Sequence, residues 1–317
     1  MKNSMANIVF LDEYSLGGND LSSIKSLGNY TAYDRTLPEQ TLERCKGADI
    51  VISNKVYISR EIMTQLPDLK MIAIAATGMN NVDLEAAAEL GIEVKNVSGY
   101  STYSVAEATL TFALSLLKNA SYYDHYFKGG EYAATSEIFH FGRPISMLRG
   151  KNWGIIGLGA IGHQVATLAE AFGCNVAYHS TSGAVREEKY PQLALAELLE
   201  WADVVSIHSP LNAQTAGLIG DKELSAMKPT SIIINVARGG IIDEAALANA
   251  LNNNTIAAAA LDVFSKEPLP SSPLYNLNDP YKLLASPHTA WAADDSVEKL
   301  IEGIYANIQN FLLSLSD

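Results

Sequence analysis

Short, uniformly apolar segments recur along the whole chain, and helix-forming stretches separate them. Segments of this kind are typical of parallel strands that helices cover on both faces of a sheet. They lie at 7–11, 49–53, 71–76, 153–158, 175–179, 203–208, 231–236 and 282–286. The alternation predicts an α/β protein made of two doubly wound units.

The boundary between the two units is predicted near residue 100. There the polar segment 99–104 precedes an apolar helix that we expect from Val105 to Leu117 and beyond. Because this helix is apolar nearly all round, it should be buried, and Glu107 within it should be a buried or junctional hydrogen-bonding residue. The last helix instead has an apolar stripe between 297 and 312, which predicts packing on one face.

Composition limits the classes of partner. The 317 residues carry a formal charge of -13, from 22 basic and 35 acidic side chains. An acidic chain of this kind is not expected to bind nucleic acid or an anionic membrane. The two cysteines, Cys45 and Cys174, lie far apart in the sequence and predict neither a disulfide nor a metal site. No apolar run is long enough for a signal peptide or a spanning helix, so we expect a soluble, cytoplasmic protein.

The segment 153–162 reads WGIIGLGAIG, a strand that leads directly into a glycine-rich turn and a helix. Gly157 would permit the tight turn, Gly159 the close approach of a pyrophosphate, and Gly162 the close packing of helix on strand. The amino end of the helix would supply amide donors to the pyrophosphate. This context predicts a dinucleotide site.

One element of that site is missing from the sequence. An NAD site usually has Asp or Glu about 20 residues after the glycines, at the end of the second strand. Here the strand ends in the segment Tyr178 to Ser182, which contains hydroxyl side chains and no acid. Arg186 lies close enough in sequence to pair with a 2′-phosphate. NAD(H) is the expected cofactor, and NADP(H) stays open as the alternative.

Isolated polar residues follow three later strands: Arg238, Asp262 with Glu267, and His288. The carboxyl ends of parallel strands meet at one edge of a sheet, so these side chains could converge there. Each alone could be structural, as a loop cap, a turn glutamate or a strand-end histidine. For the other histidines a structural or surface role is expected, and His208 is the one expected to touch cofactor because it ends a strand.

Together these residue types suit the reduction of a 2-keto acid. The Arg238 guanidinium can hold a carboxylate through two hydrogen bonds and stabilise charge on the carbonyl oxygen. His288 can supply the proton, and in the reverse direction it can accept one. A carboxylate neighbour such as Glu267 would hold the imidazole ring.

Four motifs in order, GLGAIG, NVARGGIIDE, ALDVFSKEPLP and SPHTAW, resemble the D-isomer-specific 2-hydroxyacid dehydrogenases, and so do ATGMNNVDLEAA and NVSGYSTYSVAE nearer the N-terminus. The resemblance covers nearly the whole chain. It implies that Arg238 binds substrate, His288 is the acid/base, Glu267 is its partner, and Asp262 holds the nicotinamide end of the cofactor.

The resemblance also implies two Rossmann/flavodoxin-like domains and a homodimer. Residues 1–100 with 293–317 would form a discontinuous substrate-binding domain, and 101–292 an inserted dinucleotide-binding domain. The expected cofactor contacts are Gly157, Gly159, Ala160, Ile161, Gly162, Ser180, His208, Pro210, Thr215, Val236, Ala237 and Asp262. The expected substrate contacts are Asn54, Lys55, Thr77, Gly78, Met79, Arg238, His288 and Trp291.

Within the family, the Asn54-Lys55 pair and Trp291 look most like the glycerate dehydrogenases, also called hydroxypyruvate reductases. The expected substrate is therefore glycerate or hydroxypyruvate, and glyoxylate is plausible. Phosphoglycerate dehydrogenase and D-lactate dehydrogenase are alternatives. A corepressor-like module that binds a dinucleotide without turnover is an alternative from another class, because fold alone does not define function.

Overall fold

The computed structural model describes residues 5–183 and 187–315. The chain divides into two compact units. One unit comprises the chain up to Ser101 together with the stretch from Ala292 onward, and the other is Thr102–Trp291. Both are parallel α/β units, as the alternation of apolar segments predicted.

The first unit contains a five-stranded parallel sheet in the order β2-β1-β3-β4-β5. Its strands are β1 (Asn7–Phe10), β2 (Asn29–Ala32), β3 (Ile50–Ser53), β4 (Met71–Ile74) and β5 (Glu93–Lys95). The helices between them are α1 (Ser22–Lys25), α2 (Thr41–Cys45), α3 (Arg60–Met63) and α4 (Leu84–Glu89). The central strands β3 and β4 are buried along their whole length, whereas the edge strands β2 and β5 are largely exposed. The edge strands therefore lack the apolar signature, and the sequence did not predict them.

The second unit begins with two helices, α5 (Thr102–Leu117) and α6 (Ala120–Lys128). The strands that follow are β6 (Asn152–Ile156), β7 (Asn175–His179), β8 (Val204–Ile207), β9 (Ile232–Asn235), β10 (Ala258–Leu261) and β11 (Leu283–Ala285). The helices between them are α7 (Ala160–Ala171), α8 (Leu195–Trp201), α9 (Asp221–Ala226) and α10 (Glu244–Asn252).

These strands form a parallel sheet in the order β11-β10-β9-β8-β6-β7. Because every strand runs in the same direction, the loops after all six leave from one edge of the sheet. The strand order reverses between β6 and β8, which is the position where ligands bind to open α/β sheets. The strand β10 was not among the predicted segments, because three of its four residues are alanine, a poor strand former. It is buried throughout between β9 and β11.

The first long helix of the second unit is shorter than expected. The helix α5 ends at Leu117, and Asn119 adopts a left-handed conformation (φ 50°) before α6 begins. The helix α5 packs on α7 and on strands β9 and β10, so that only one side of it is buried. Glu107 lies on the exposed side, so the prediction of a buried Glu107 was wrong, while the alternative of a junctional residue stays a prediction.

The final helix, α11 (Asp294–Ser314), returns to the first unit and packs on α1 and β4. Its buried residues are Ser296, Val297, Leu300, Ile301, Ile304, Ile308 and Phe311. They confirm the predicted apolar stripe. A Cβ atom at Gly303 would lie 2.5 Å from the Val97 side chain, so the helix can approach here only with glycine. In the described part of the chain, no helix is both long and apolar enough to span a bilayer.

Candidate active site

The glycine turn joins β6 to α7 at the edge of the second sheet. Gly157 has a φ of 93°, and a Cβ atom there would lie 2.9 Å from the Ser209 amide nitrogen. A Cβ atom at Gly162 would lie 2.4 Å from the Gly157 carbonyl oxygen. Both positions therefore require glycine. Gly159 is the N-cap of α7 and has open space beside it, so the first amides of the helix face a free approach.

A cavity of about 450 Å³ lies beside this turn. Five of the expected cofactor contacts line it: Gly157, Gly159, Ser180, His208 and Pro210. Three more, Ala160, Ile161 and Gly162, form the first turn of α7. Of the remaining lining residues, Tyr178, Thr181 and Ser182 belong to the strand-end segment that the sequence analysis singled out. The sequence did not indicate the others, which are Leu158, Glu188, Ser209, Asn212 and Gln214.

The other expected cofactor contacts lie apart from this lining. Thr215 is fully buried and supports the loop after β8, because its hydroxyl donates to the Pro210 carbonyl oxygen at 2.6 Å. Val236 and Ala237 follow β9, and Asp262 follows β10. Arg186, the expected partner of a 2′-phosphate, lies outside the described residues.

His208 is the last of three side chains that are linked by hydrogen bonds. The Trp153 indole N–H lies 2.9 Å from the Ser206 hydroxyl oxygen, which lies 3.0 Å from His208 Nε2. Since the indole can only donate, Ser206 accepts from it and can donate its own hydrogen to Nε2, which leaves the hydrogen of neutral His208 on Nδ1. Burial lowers the pKa of His208 to about 3, so the ring is neutral at physiological pH.

Two buried polar atoms at this cavity have no hydrogen-bond partner among the described residues. They are His208 Nδ1 and the Ser209 hydroxyl oxygen. Buried polar groups are rarely unpaired in folded proteins. The open glycine turn, the cavity and these two atoms together fit a polar, phosphate-bearing ligand such as a dinucleotide.

At the other end of the same edge, His288 and Glu267 form a close pair. His288 Nδ1 lies 2.6 Å from Glu267 Oε2, and Glu267 Oε1 accepts the Phe264 amide at 2.9 Å. A ring that donates from Nδ1 to the carboxylate keeps Nε2 for a second partner. His288 also has a φ of 56°, a conformation that is uncommon for a residue with a side chain and that often occurs at active sites.

Asp262 fixes the loop that carries His288. Its side chain is buried, Oδ1 accepts from the Ser286 hydroxyl and the Thr289 amide, and Oδ2 accepts from the Ala290 amide. The His288 amide donates to the Asp262 carbonyl oxygen at 2.8 Å. The Ser104 hydroxyl of α5 holds the same loop through the Ala290 carbonyl oxygen. Asp262 thus supports the loop that carries His288, a structural role that the sequence did not indicate.

Arg238 follows β9, the strand next to β10. Its guanidinium donates to the Ala237 carbonyl oxygen at 2.7 Å, and it pairs with no carboxylate in the described part of the chain. A Cβ atom at the neighbouring Gly239 would lie 1.8 Å from the Phe264 carbonyl oxygen. The Arg238 loop and the loop that leads to Glu267 therefore lie in direct backbone contact.

In the first unit, the expected substrate residues lie at the carboxyl edge of its sheet. Asp12, just after β1, accepts the amides of Asn54 (2.9 Å) and Lys55 (2.6 Å), which follow β3. Asn54 is buried, whereas Lys55 is exposed. Burial raises the pKa of the Asp12 carboxyl, although the hydrogen bonds from these amides act against the rise. The sequence did not indicate Asp12, which organises this loop.

Thr77, Gly78 and Met79 follow β4, the neighbour of β3. The Thr77 hydroxyl donates to the Val97 carbonyl oxygen at 3.1 Å. In the second unit, Trp291 is half-buried and packs against the apolar core formed by α5, α7 and the sheet. The substrate contacts of all these residues stay predictions.

A doubly wound sheet with a glycine turn, an adjacent cavity and unpaired buried donors defines a dinucleotide-binding protein. The sequence model of the D-isomer specific 2-hydroxyacid dehydrogenase, NAD binding domain, matches residues 110–290. The chain belongs to this family of oxidoreductases, as its motifs predicted.

Two relatives are similar over nearly their full length. The chain is 35% identical over 309 residues to a glycerate dehydrogenase of Methylorubrum extorquens, with 96% of each chain covered. It is 34% identical over 313 residues to a hydroxypyruvate reductase of Blautia hydrogenotrophica, again with 96% of each covered. Among solved structures, an acyclic imino acid reductase in complex with NADPH and D-Arg is 27% identical, with a TM-score of 0.85 and 97% of each chain covered.

Proposed function

We propose that the protein reduces a small 2-keto acid to the D-2-hydroxy acid, with hydroxypyruvate and glycerate as its main pair and glyoxylate as a slower substrate. The observation that carries the proposal is the His288–Glu267 pair beside the Arg238 loop, on neighbouring strands at one sheet edge. A proton donor and a guanidinium without a carboxylate partner are the two groups that this reaction needs from the protein.

Arg238 binds the substrate carboxylate. A planar guanidinium donates two parallel hydrogen bonds to a carboxylate, and this geometry fixes the orientation of the keto group as well as its charge. The same cation stabilises the negative charge that develops on the carbonyl oxygen during reduction. In an acidic chain, it is the local cation that an anionic substrate requires.

His288 donates the proton to the carbonyl oxygen from Nε2. Glu267 holds Nδ1, so that the ring stays oriented while its other nitrogen exchanges the proton. In the oxidative direction the neutral ring accepts the hydroxyl proton. A nicotinamide dinucleotide, when bound, supplies or accepts the hydride; the glycine turn and the first amides of α7 would hold its pyrophosphate.

The relatives named glycerate dehydrogenase and hydroxypyruvate reductase support this choice of substrate. The test is a set of initial rates for the purified protein with hydroxypyruvate, glyoxylate, pyruvate and phosphohydroxypyruvate and each reduced coenzyme. We expect hydroxypyruvate to give the highest kcat/KM. No turnover of any 2-keto acid would contradict the proposal and favour a dinucleotide-binding module. A preference for pyruvate or the phosphorylated acid would favour D-lactate or phosphoglycerate dehydrogenase.

We propose further that NAD(H) is the preferred coenzyme. The described cavity lining contains hydroxyl side chains after β7 but no Lys or Arg that would bind a 2′-phosphate. The similar imino acid reductase structure contains NADPH, whereas the matching family model is described as an NAD binding domain. We expect a modest preference of about 10-fold in kcat/KM, which corresponds to about 1.4 kcal/mol.

A homodimer is also part of the proposal. From the end of α6 to the start of β6 the second unit exposes several large apolar side chains, which in a monomer would face water. These are Phe127, Ile138, Phe139, Phe141, Ile145 and Met147, each at least 57% exposed. We propose that a second copy of the chain covers them. Light scattering after size exclusion should give the mass of a dimer for the wild type and of a monomer for Phe139→Asp/Phe141→Asp, and a monomeric wild type would overturn the proposal.

We propose a cytoplasmic location. Cys45 and Cys174 are both buried free thiols, and burial raises the pKa of each, of Cys45 to about 12 and of Cys174 to about 11. Such thiols suit a reducing compartment. Fractionation of cells that produce the protein should recover it with cytoplasmic markers, and recovery outside them would contradict this.

A further inference from the structure

The cavity beside the glycine turn contains a carboxylate that no sequence motif indicated. Glu188 is one of the lining residues, and its side chain is only 17% exposed. Among the described lining residues it is the one acid, and none of them is Lys or Arg. An acid in a pocket for a strongly anionic ligand is unfavourable unless it recognises part of that ligand.

The position of Glu188 is fixed from two sides. Its Oε1 lies 3.4 Å from Nε2 of His163, a residue in the first turn of α7 directly after Gly162. A few residues later the chain returns to the end of β7, where the Tyr178 amide donates to the Pro191 carbonyl oxygen (3.0 Å) and the Leu193 amide to that of Tyr178 (2.8 Å). The chain at 191–193 therefore pairs alongside β7. Glu188 lines the cavity together with the residues at the end of that strand, where the acid of an NAD site is missing.

The end of the second strand is where the adenosine ribose of a bound dinucleotide lies. In doubly wound folds the pyrophosphate lies on the glycine turn, and the adenosine ribose lies at the end of the second strand. Here the second strand is β7, and its end supplies Ser180, Thr181 and Ser182 to the same cavity wall as Glu188. An NAD site places a carboxylate here to accept a hydrogen bond from the ribose 2′-OH.

We propose that Glu188 is the coenzyme-discriminating residue of this protein: it accepts a hydrogen bond from the adenosine ribose and repels a 2′-phosphate. This rests on the proposed use of a nicotinamide dinucleotide and specifies how the choice is made. His163 is a positioning residue that holds the carboxylate at the cavity. Discrimination comes from the repulsive charge as much as from the new hydrogen bond, because an added 2′-phosphate would meet a carboxylate and no described Lys or Arg.

The test is a direct measurement of binding, which does not depend on turnover. The Kd values of NADH and NADPH are determined by fluorescence titration for the wild type, Glu188→Gln and Glu187→Gln. Glu187 is the matched control, because it is the adjacent acid, is exposed and does not line the cavity. Thermal unfolding of each variant verifies that it is folded.

We expect NADPH to bind the wild type about 10-fold more weakly than NADH. In Glu188→Gln the two Kd values should approach each other to within about 2-fold, whereas Glu187→Gln should keep the wild-type ratio. An unchanged ratio in Glu188→Gln, or an equal change in Glu187→Gln, would overturn the inference and leave the proposed function intact. A wild type that binds neither coenzyme, or binds NADPH more tightly, would overturn the coenzyme proposal and this inference together.

Discussion

The two halves of the ligand-binding edge of the second unit differ in how their polar groups are paired. After β9, β10 and β11, the side chains that we propose for catalysis have protein partners: Glu267 holds His288, and Asp262 holds the loop around it. After β6, β7 and β8 there is a cavity, and His208 Nδ1 and the Ser209 hydroxyl have no partner among the described residues.

The difference follows from what each half has to do. A proton donor must be oriented before the substrate arrives, because positioning groups in advance is what lowers the barrier. Groups that bind a cofactor can instead complete their hydrogen bonds when the cofactor enters, and this gain contributes to affinity. Substitutions after β9 to β11 should therefore change kcat, and substitutions after β6 to β8 should change coenzyme Kd.

The largest effect is expected for His288→Ala. General acid catalysis contributes roughly 10²–10⁴-fold, so kcat should fall by about that factor while the NADH Kd changes by less than about 2-fold. Stopped-flow rates and NADH titrations measure the two quantities. His125→Ala, at an exposed histidine of α6, is the control and should keep the wild-type rate. Wild-type turnover in His288→Ala would contradict the proposed proton transfer and the expectation that substitutions after β9 to β11 change kcat.

Arg238→Ala should raise KM for the keto acid and lower kcat together. A hydrogen bond to a charged group contributes about 1.5–3 kcal/mol, so kcat/KM should fall by roughly 10- to 10²-fold. Arg238→Lys should recover only part of the loss, because an ammonium cannot form the bidentate pair. Steady-state kinetics with hydroxypyruvate measure this, and an unchanged KM would count against carboxylate binding.

Asp262→Asn separates support of the loop from contact with the nicotinamide. The substitution places an amide N–H against donors that the carboxylate accepts, so the free energy of unfolding should fall by about 1–3 kcal/mol and kcat should fall with it. Denaturant unfolding and kinetics measure both. If Asp262 acts only through the loop, the NADH Kd stays unchanged; a weakened Kd would support the predicted contact with the cofactor. Ser286→Ala, which removes one of the donors to Asp262, should have a smaller effect on stability.

Ser206→Ala should have the smallest effect of the four. It removes the group that fixes the tautomer of His208, and the loss of about 1 kcal/mol would weaken NADH binding about 5-fold with kcat nearly unchanged. Ser231→Ala is the matched control: Ser231 is equally buried but lies at the amino end of β9, away from the binding edge. If both variants bind NADH as the wild type does, the Trp153–Ser206–His208 chain has only a structural role.

Sequence patterns predicted the two α/β units because buried parallel strands must be almost entirely apolar. They missed β2 and β5, whose edge positions allow polar residues, and β10, whose alanines are selected by close packing and not by strand propensity. They also extended α5 beyond Leu117, since an apolar sequence gives no sign of the left-handed Asn119.

In the candidate site, sequence reasoning selected Arg238, Glu267 and His288, because an isolated polar residue after an apolar strand is a strong signal. It did not indicate Asp12, the loop-supporting contacts of Asp262, or Glu188. The roles of Asp12 and Asp262 depend on hydrogen bonds between residues distant in sequence, and the position of Glu188 depends on the return of the chain to β7. Such contacts leave no periodic pattern or fixed spacing in the sequence. The sequence does lack an acid at the end of β7, and Glu188, the residue that we propose in its place, lies beyond the expected spacing.

We propose that the protein reduces a 2-keto acid to the D-2-hydroxy acid with a hydride from the nicotinamide and a proton from His288. The most direct test is chiral chromatography of the product that forms from hydroxypyruvate and NADH. We expect the wild type to form one D-glycerate for each NADH oxidised, and His288→Ala at the same protein concentration to form it at least about 10²-fold more slowly. L-glycerate, a racemic product, or NADH oxidation without glycerate would contradict it.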